Sequence, residues 1–116
     1  MAKPYLSIII PAHNEEKRLP TSLEKLKQFC AAQPYASEVL VVENASSDNT
    51  LAVARAYQAQ LPGLRVISLD EPGKGGAVRA GMLAAEGVYR FMADADFSMP
   101  VEEINRFLPP ALPDCD

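Results

Sequence analysis

The chain has no tryptophan, one histidine and two cysteines among 116 residues, and no uninterrupted apolar run long enough to cross a bilayer. Cys30 and Cys115 have no companions at metal-ligand spacing, which argues against structural zinc and reads as reduced thiols in a cytosolic setting. Met1-Ala2-Lys3-Pro4 lacks the apolar segment of a secretory signal. Positive charge is also scarce. Eleven Lys and Arg face fifteen Asp and Glu, a formal charge of -4, the wrong sign for neutralising phosphates, so nucleic acid is not expected as a partner. His13 has no Ser or Cys placed to form a recognisable nucleophile arrangement with it, and a lone loop histidine is more often a hydrogen-bonding or surface residue.

What is present is apolar and periodic. With 48% apolar residues the chain can bury one core of ordinary domain size. Runs rich in Ile, Val and Leu at Leu6 to Ile10, Val39 to Val42, Leu64 to Leu69 and Val88 to Ala93 read as buried strands. Helical patterns alternate with them, which predicts an α/β fold with a mostly parallel sheet, flanking helices and right-handed crossovers. The first helix is expected from a capping box at Thr21 to Glu24 up to Pro34. The second is expected from Ser47 or Asp48 to Pro62-Gly63, burying Leu51, Ala54 and Tyr57. The third is expected over about 75–85, and a short fourth after Pro100, followed by a proline-rich tail.

Ligands of open parallel sheets bind outside the carboxyl ends of the strands. Here those ends read His13-Asn14-Glu15-Glu16, Glu43-Asn44-Ala45-Ser46-Ser47-Asp48, Asp70-Glu71-Pro72-Gly73-Lys74-Gly75-Gly76 and Asp94-Ala95-Asp96. Acid, amide, lysine and glycine types gathered at one edge point to a nucleotide or phosphate site. If the strand geometry persists through Asp96, Asp94 and Asp96 lie on one face and repel unless a cation separates them. Hard oxygen ligands favour Mg²⁺ or Mn²⁺, with substrate phosphates completing the shell. The plainer reading makes them loop acids preceding the helix at Pro100. The glycine-rich loop is neither a Walker A nor a dinucleotide fingerprint, since Gly75 follows Lys74 and Val78 stands where a third Gly or Ala belongs. It is either a turn suited to a diphosphate at a helix N-terminus or an ordinary flexible turn with a solvated lysine. Glu15 and Glu16 precede a helix and would suit its dipole in either case.

Four segments in order, Ser7 to Glu16, Val41 to Thr50, Gly73 to Gly81 and Met92 to Asp96, resemble the inverting family 2 glycosyltransferases, which carry the GT-A nucleotide-sugar fold. Within that family the chain looks most like the dolichyl-phosphate β-glucosyltransferases, with the mannose synthases second. The resemblance implies that Pro11, Ala12 and Glu15 line a base and ribose pocket and that Glu43 contacts the nucleoside. It also implies that Lys74 approaches the diphosphate and that Asp94 and Asp96 handle ribose and metal, Asp96 first, with Ser98 as a helper. The donor would be UDP-glucose, or alternatively GDP-mannose, and the acceptor a polyprenyl or dolichyl phosphate. Where relatives have Asp-Asp-Gly-Ser this chain has Glu43-Asn44-Ala45-Ser46, which lengthens one acid, removes a second charge and replaces a permissive glycine. Relatives also continue past the Asp-x-Asp strand into an acceptor half. Residues 1–116 are therefore expected to be a truncated N-terminal donor-binding part, cytoplasmic, with membrane-surface contact supplied by the missing half. A nucleotide-binding module without transfer activity is the reading from another class.

Overall fold

The computed structural model describes residues 4–61, 63–71 and 73–93, without the side chain of Lys74. The elements alternate as β1 (Leu6–Ala12), α1 (Leu19–Ala32), β2 (Ser37–Asn44), α2 (Thr50–Tyr57), β3 (Leu64–Leu69), α3 (Lys74–Ala84) and β4 (Tyr89–Met92). All strand pairs are parallel, in the order β3-β2-β1-β4. The register runs from Leu6↔Ser37 to Ala12↔Glu43 between β1 and β2, and from Leu6↔Tyr89 to Ile9↔Met92 between β1 and β4.

This order follows from which faces must be covered. Side chains alternate across a strand, so Leu6, Ile8 and Ile10 with Val39 and Val41 form one apolar face, packed under Leu19, Leu23, Leu26 and Phe29 of α1 and Ala54 of α2. Ile9, Leu40 and Val42 form the other, closed by Ala77 of α3 and by Ala85 just beyond its end. Both faces of β1 and β2 are buried, which is why these strands read as continuous apolar runs. α3 lies close to the sheet because Gly81 has no side chain: a Cβ there would collide with Ile9 Cγ2 and sit 3.2 Å from Val42 Cγ2.

Three local expectations are corrected. The Thr21 capping box is not used. Glu15 O accepts the amides of Arg18 and Leu19, the helix starts two residues earlier, and Pro20 sits in the first turn, where its missing N–H costs nothing. α2 ends at Tyr57 and not near Pro62. Gln60 and Leu61 amides both turn back to Tyr57 O, and this turn buries Leu61 in the core. β4 is shorter than expected and far from buried, with Val88 66% and Met92 39% exposed. Among the described residues β4 has a neighbour on one side only, and sequence composition does not report how many neighbours a strand has. α3 lies where the glycine-rich pattern put it. The fourth helix and the proline-rich tail fall outside the described residues.

A polar cluster locks the opposite end of the sheet. Glu38 is buried, and its carboxylate accepts the Ser7 hydroxyl at 2.6 Å, the Glu86 amide at 2.6 Å and Arg65 Nη1 at 3.1 Å. The Gly87 amide donates to Ser7 Oγ at 2.8 Å. These bonds tie β1, β2 and β3 to the link between α3 and β4.

Candidate functional site

The strand order reverses between β1 and β4. The chain leaves β1 towards β2 on one side and returns from α3 to β4 on the other, and in open parallel sheets the carboxyl edge at such a reversal is where ligands bind. The loops at this edge are laced together. Asn14 has φ 54°, a conformation asparagine tolerates, and its Oδ1 accepts the Ser47 amide at 2.8 Å while its own amide donates to Ser46 Oγ at 3.0 Å. The Glu15 amide donates to Thr50 Oγ1 at 2.7 Å, and the Glu16 amide to Asp48 Oδ2 at 3.3 Å. Asp48 Oδ1 accepts both the amide and the hydroxyl of Thr50; α2 begins at Thr50 with Asn49 at its N-cap position and no side-chain cap, so neither Ser47 nor Asp48 caps it as expected. Glu16 serves the dipole of α2 and not that of its own helix, because its Oε1 accepts the Asn49 amide at 3.0 Å. An open depression of about 390 Å³ is lined by Asn14, Glu15, Glu16, Lys17, Arg18 and Asp48.

Pro11 and Ala12 end β1 beside Val42 and Glu43, so four of the expected site residues, Pro11, Ala12, Glu15 and Glu43, gather at the mouths of two adjacent strands. Glu15 is half-buried, 3.8 Å from Arg18 Nη1. Glu43 is turned inward: it is 3% exposed, and its carboxylate accepts the Ser46 amide at 2.6 Å and the Ser68 hydroxyl at 2.8 Å. Burial pushes its carboxyl up, but the Ser46 amide, the Ser68 and Ser46 hydroxyls and nearby His13 outweigh that and hold it below the ordinary range. Glu43 thus shapes the loop after β2.

Asn44 is buried beside it. His13 Nδ1 lies 2.6 Å from Asn44 O, the geometry of a ring N–H donating to a carbonyl, and Asn44 Nδ2 donates to Gly73 O at 2.9 Å. His13 is therefore a brace between loops, and among the described residues no Ser or Cys side chain is hydrogen-bonded to it. Gly73, at φ 124°, precedes Lys74, the first residue of α3, so the glycine-rich turn does feed a helix N-terminus at this edge. The bracing role of Asn14, Asn44 and Ser46 was not anticipated. The signal was available in asparagines directly following strands, where their side chains can satisfy loop amides.

Ala45, at the position where the resemblance implies glycine, has a φ of 51°. Its amide is held by Leu69 O at 2.9 Å, so the left-handed conformation is imposed by the sheet edge. A non-glycine residue there costs roughly 1–2 kcal/mol, partly offset by alanine's lower freedom in the unfolded chain. Ala45→Gly is expected to stabilise the fold by about 0.5–1 kcal/mol in denaturant unfolding, and an unchanged or lower stability would show that Ala45 is unstrained.

Asp94, Asp96 and Ser98 lie outside the described residues. The last described bond on this path is from the Ala93 amide to Ile9 O, at 2.9 Å, after which the sequence continues into Asp94-Ala95-Asp96. Among the described residues no three His, Cys, Asp or Glu side chains could hold a metal ion together. Two carboxylates completed by phosphate oxygens, the set expected from Asp94 and Asp96, are a fitting donor set for Mg²⁺ or Mn²⁺. No helix among the described residues is long and apolar enough to cross a membrane.

Comparison with known proteins follows this geometry. The chain is 46% identical over 99 residues to a dolichyl-phosphate beta-glucosyltransferase of Drosophila melanogaster, an alignment covering 78% of this chain and 30% of the relative. Its fold matches TarS 1-349 of S. aureus in complex with UDP at a TM-score of 0.70 and 30% identity, over 82% of this chain and 28% of that one. It also matches the mannosyltransferase PcManGT of Pyrobaculum calidifontis, in complex with GDP-Man and Mn²⁺, at a TM-score of 0.70 and 27% identity, over 83% and 28%. The parallel sheet with flanking helices is that of the GT-A glycosyltransferases. The chain spans less than a third of each of these three proteins. The family model for glycosyl transferase family 2 matches residues 7–115, nearly the whole sequence, and the chain belongs to that family.

Proposed function

We propose that these residues form the donor-binding part of an inverting transferase that moves glucose from UDP-glucose to a dolichyl or other polyprenyl phosphate. The observation that supports the reading is the reversal of strand order between β1 and β4, where Pro11 and Ala12 end one strand and the sequence after the other reads Ala93-Asp94-Ala95-Asp96. The identity to the fly glucosyltransferase supports the choice of sugar and acceptor. Pro11, Ala12 and Glu15 border the nucleoside, with Glu43 supporting the loop beneath it. Lys74 and the amides at the start of α3 take the diphosphate. Asp96, helped by Asp94, holds Mg²⁺ or Mn²⁺, which supplies neutralising charge for the leaving nucleoside diphosphate.

The reaction is a single in-line displacement at the anomeric carbon, with inversion. A phosphate acceptor, whose second pKa lies near 6, is largely ionised at neutral pH, so the nucleophile needs no strong general base. Arrangement and electrostatics carry the catalysis. The half-buried free thiol of Cys30 is compatible with a reducing, cytoplasmic setting.

The PcManGT complex with GDP-Man favours a guanosine donor as the second reading. Competition between UDP-glucose and GDP-mannose in a ligand-detected NMR experiment separates the two. UDP-glucose is expected to displace GDP-mannose at equal concentration, and displacement in the other direction would move the assignment to the mannosyl donor.

A further inference from the structure

We infer that Asn44 is a positioning residue for the diphosphate end of the donor, a role that rests on the donor-site reading above. It is buried at the end of β2, and its side-chain amide donates to Gly73 O at 2.9 Å. Gly73 O also accepts the Ala77 amide at 3.3 Å, the first helical bond of α3. Asn44 therefore holds the carbonyl on which the first turn of α3 is built. Its own carbonyl takes the His13 ring N–H at 2.6 Å, so one residue joins the loops after β1, β2 and β3.

An aspartate, the residue the family resemblance implies here, has no side-chain N–H to donate while ionised, and its charge would face a carbonyl oxygen. The amide is what makes the contact with Gly73 attractive. Gly73 needs this hold, because its φ of 124° belongs to a residue with wide conformational freedom, and a Cβ built there meets nothing within 4 Å. The hydrogen bond from Asn44 restrains this residue. With the turn fixed, the amides at the start of α3 are oriented before a donor arrives, which lowers the ordering cost of binding its diphosphate.

The test uses Asn44→Ala and Asn44→Asp in the 116-residue chain, read by amide hydrogen exchange and by titration with UDP and UMP. Both variants are expected to speed exchange at Ala77 about tenfold. The Ala85 amide, bonded to Gly81 O at 2.9 Å at the other end of α3, serves as internal control and is expected to stay unchanged. Both variants are expected to weaken UDP about tenfold and UMP less than twofold, because only the second phosphate depends on the turn. Equal acceleration at Ala77 and Ala85, equal weakening of UDP and UMP, or a UDP effect confined to the aspartate variant would overturn the proposal. Failure of the wild-type chain to bind UDP would remove the donor-site reading, while the exchange result would still decide whether Asn44 holds the turn.

Discussion

Replacing Glu38 with alanine is expected to cost about 3 kcal/mol of folding stability. The carboxylate is buried and satisfies three donors from three parts of the chain: the Ser7 hydroxyl on β1, Arg65 on β3 and the Glu86 amide between α3 and β4. Alanine would leave the buried Ser7 hydroxyl and the Glu86 amide without their acceptor, and the loss of a partner costs more than the net worth of a bond. Burial pushes the Glu38 carboxyl up, but the Glu86 amide, the Ser7 hydroxyl and Arg65 outweigh it and hold the group below its ordinary 4.5. A depressed folded-state pKa contributes stability that is complete above the unfolded value and is lost as pH falls through the folded one. Glu43 shifts in the same direction. Denaturant unfolding of the wild type should therefore weaken below about pH 4.5, and Glu38→Gln should show a shallower decline. A Glu38→Ala loss under 1 kcal/mol, or an equally steep acid decline in Glu38→Gln, would contradict this account of the cluster.

The second large effect concerns turnover. The isolated 116-residue chain is expected to bind the donor yet give no measurable sugar transfer to a short polyprenyl phosphate, under conditions where the full-length Drosophila relative turns over. Transfer requires the acceptor phosphate to be held in line with the anomeric carbon, and such positioning is worth up to roughly 7–11 kcal/mol in well-oriented systems. The described residues build four strands and three helices whose polar edge is the donor side. The alignment with the fly relative covers 30% of that protein's length. Labelled UDP-glucose, polyprenyl phosphate and Mg²⁺ suffice for the comparison, and similar turnover by the two proteins would place an acceptor site within these residues.

Much of this arrangement is legible in the residues themselves. The runs Leu6 to Ile10 and Val39 to Val42 announce strands buried on both faces, and the alternation of strands with helical patterns leads directly to the parallel sheet. Polar types after each strand mark the edge where Glu15, Glu43 and the start of α3 gather. What escapes sequence reading depends on contacts between distant segments. The start of α1 is decided by Glu15 O receiving two amides, the end of α2 by the burial of Leu61, and the exposure of β4 by its place in the strand order. Glu43 has the residue type of a ligand contact, yet Ser46 and Ser68 draw it inward. Nothing local distinguishes those outcomes. Ala45 is the opposite case: comparison with the family's glycine marks the position, and its φ of 51° supplies the reason.

The central claim is that the carboxyl edge of this sheet binds a nucleoside diphosphate through a divalent cation held at Asp94-Ala95-Asp96. Titration calorimetry with UDP, run with Mn²⁺ and then with a chelator, on the wild type and on Asp96→Ala, tests it most directly. The expected result is UDP binding by the wild type that strengthens at least about tenfold with Mn²⁺, or 1.4 kcal/mol, with no such gain in Asp96→Ala. Binding of equal strength with metal and with chelator, in both proteins, would contradict the metal role, and absence of UDP binding under every condition would contradict the site.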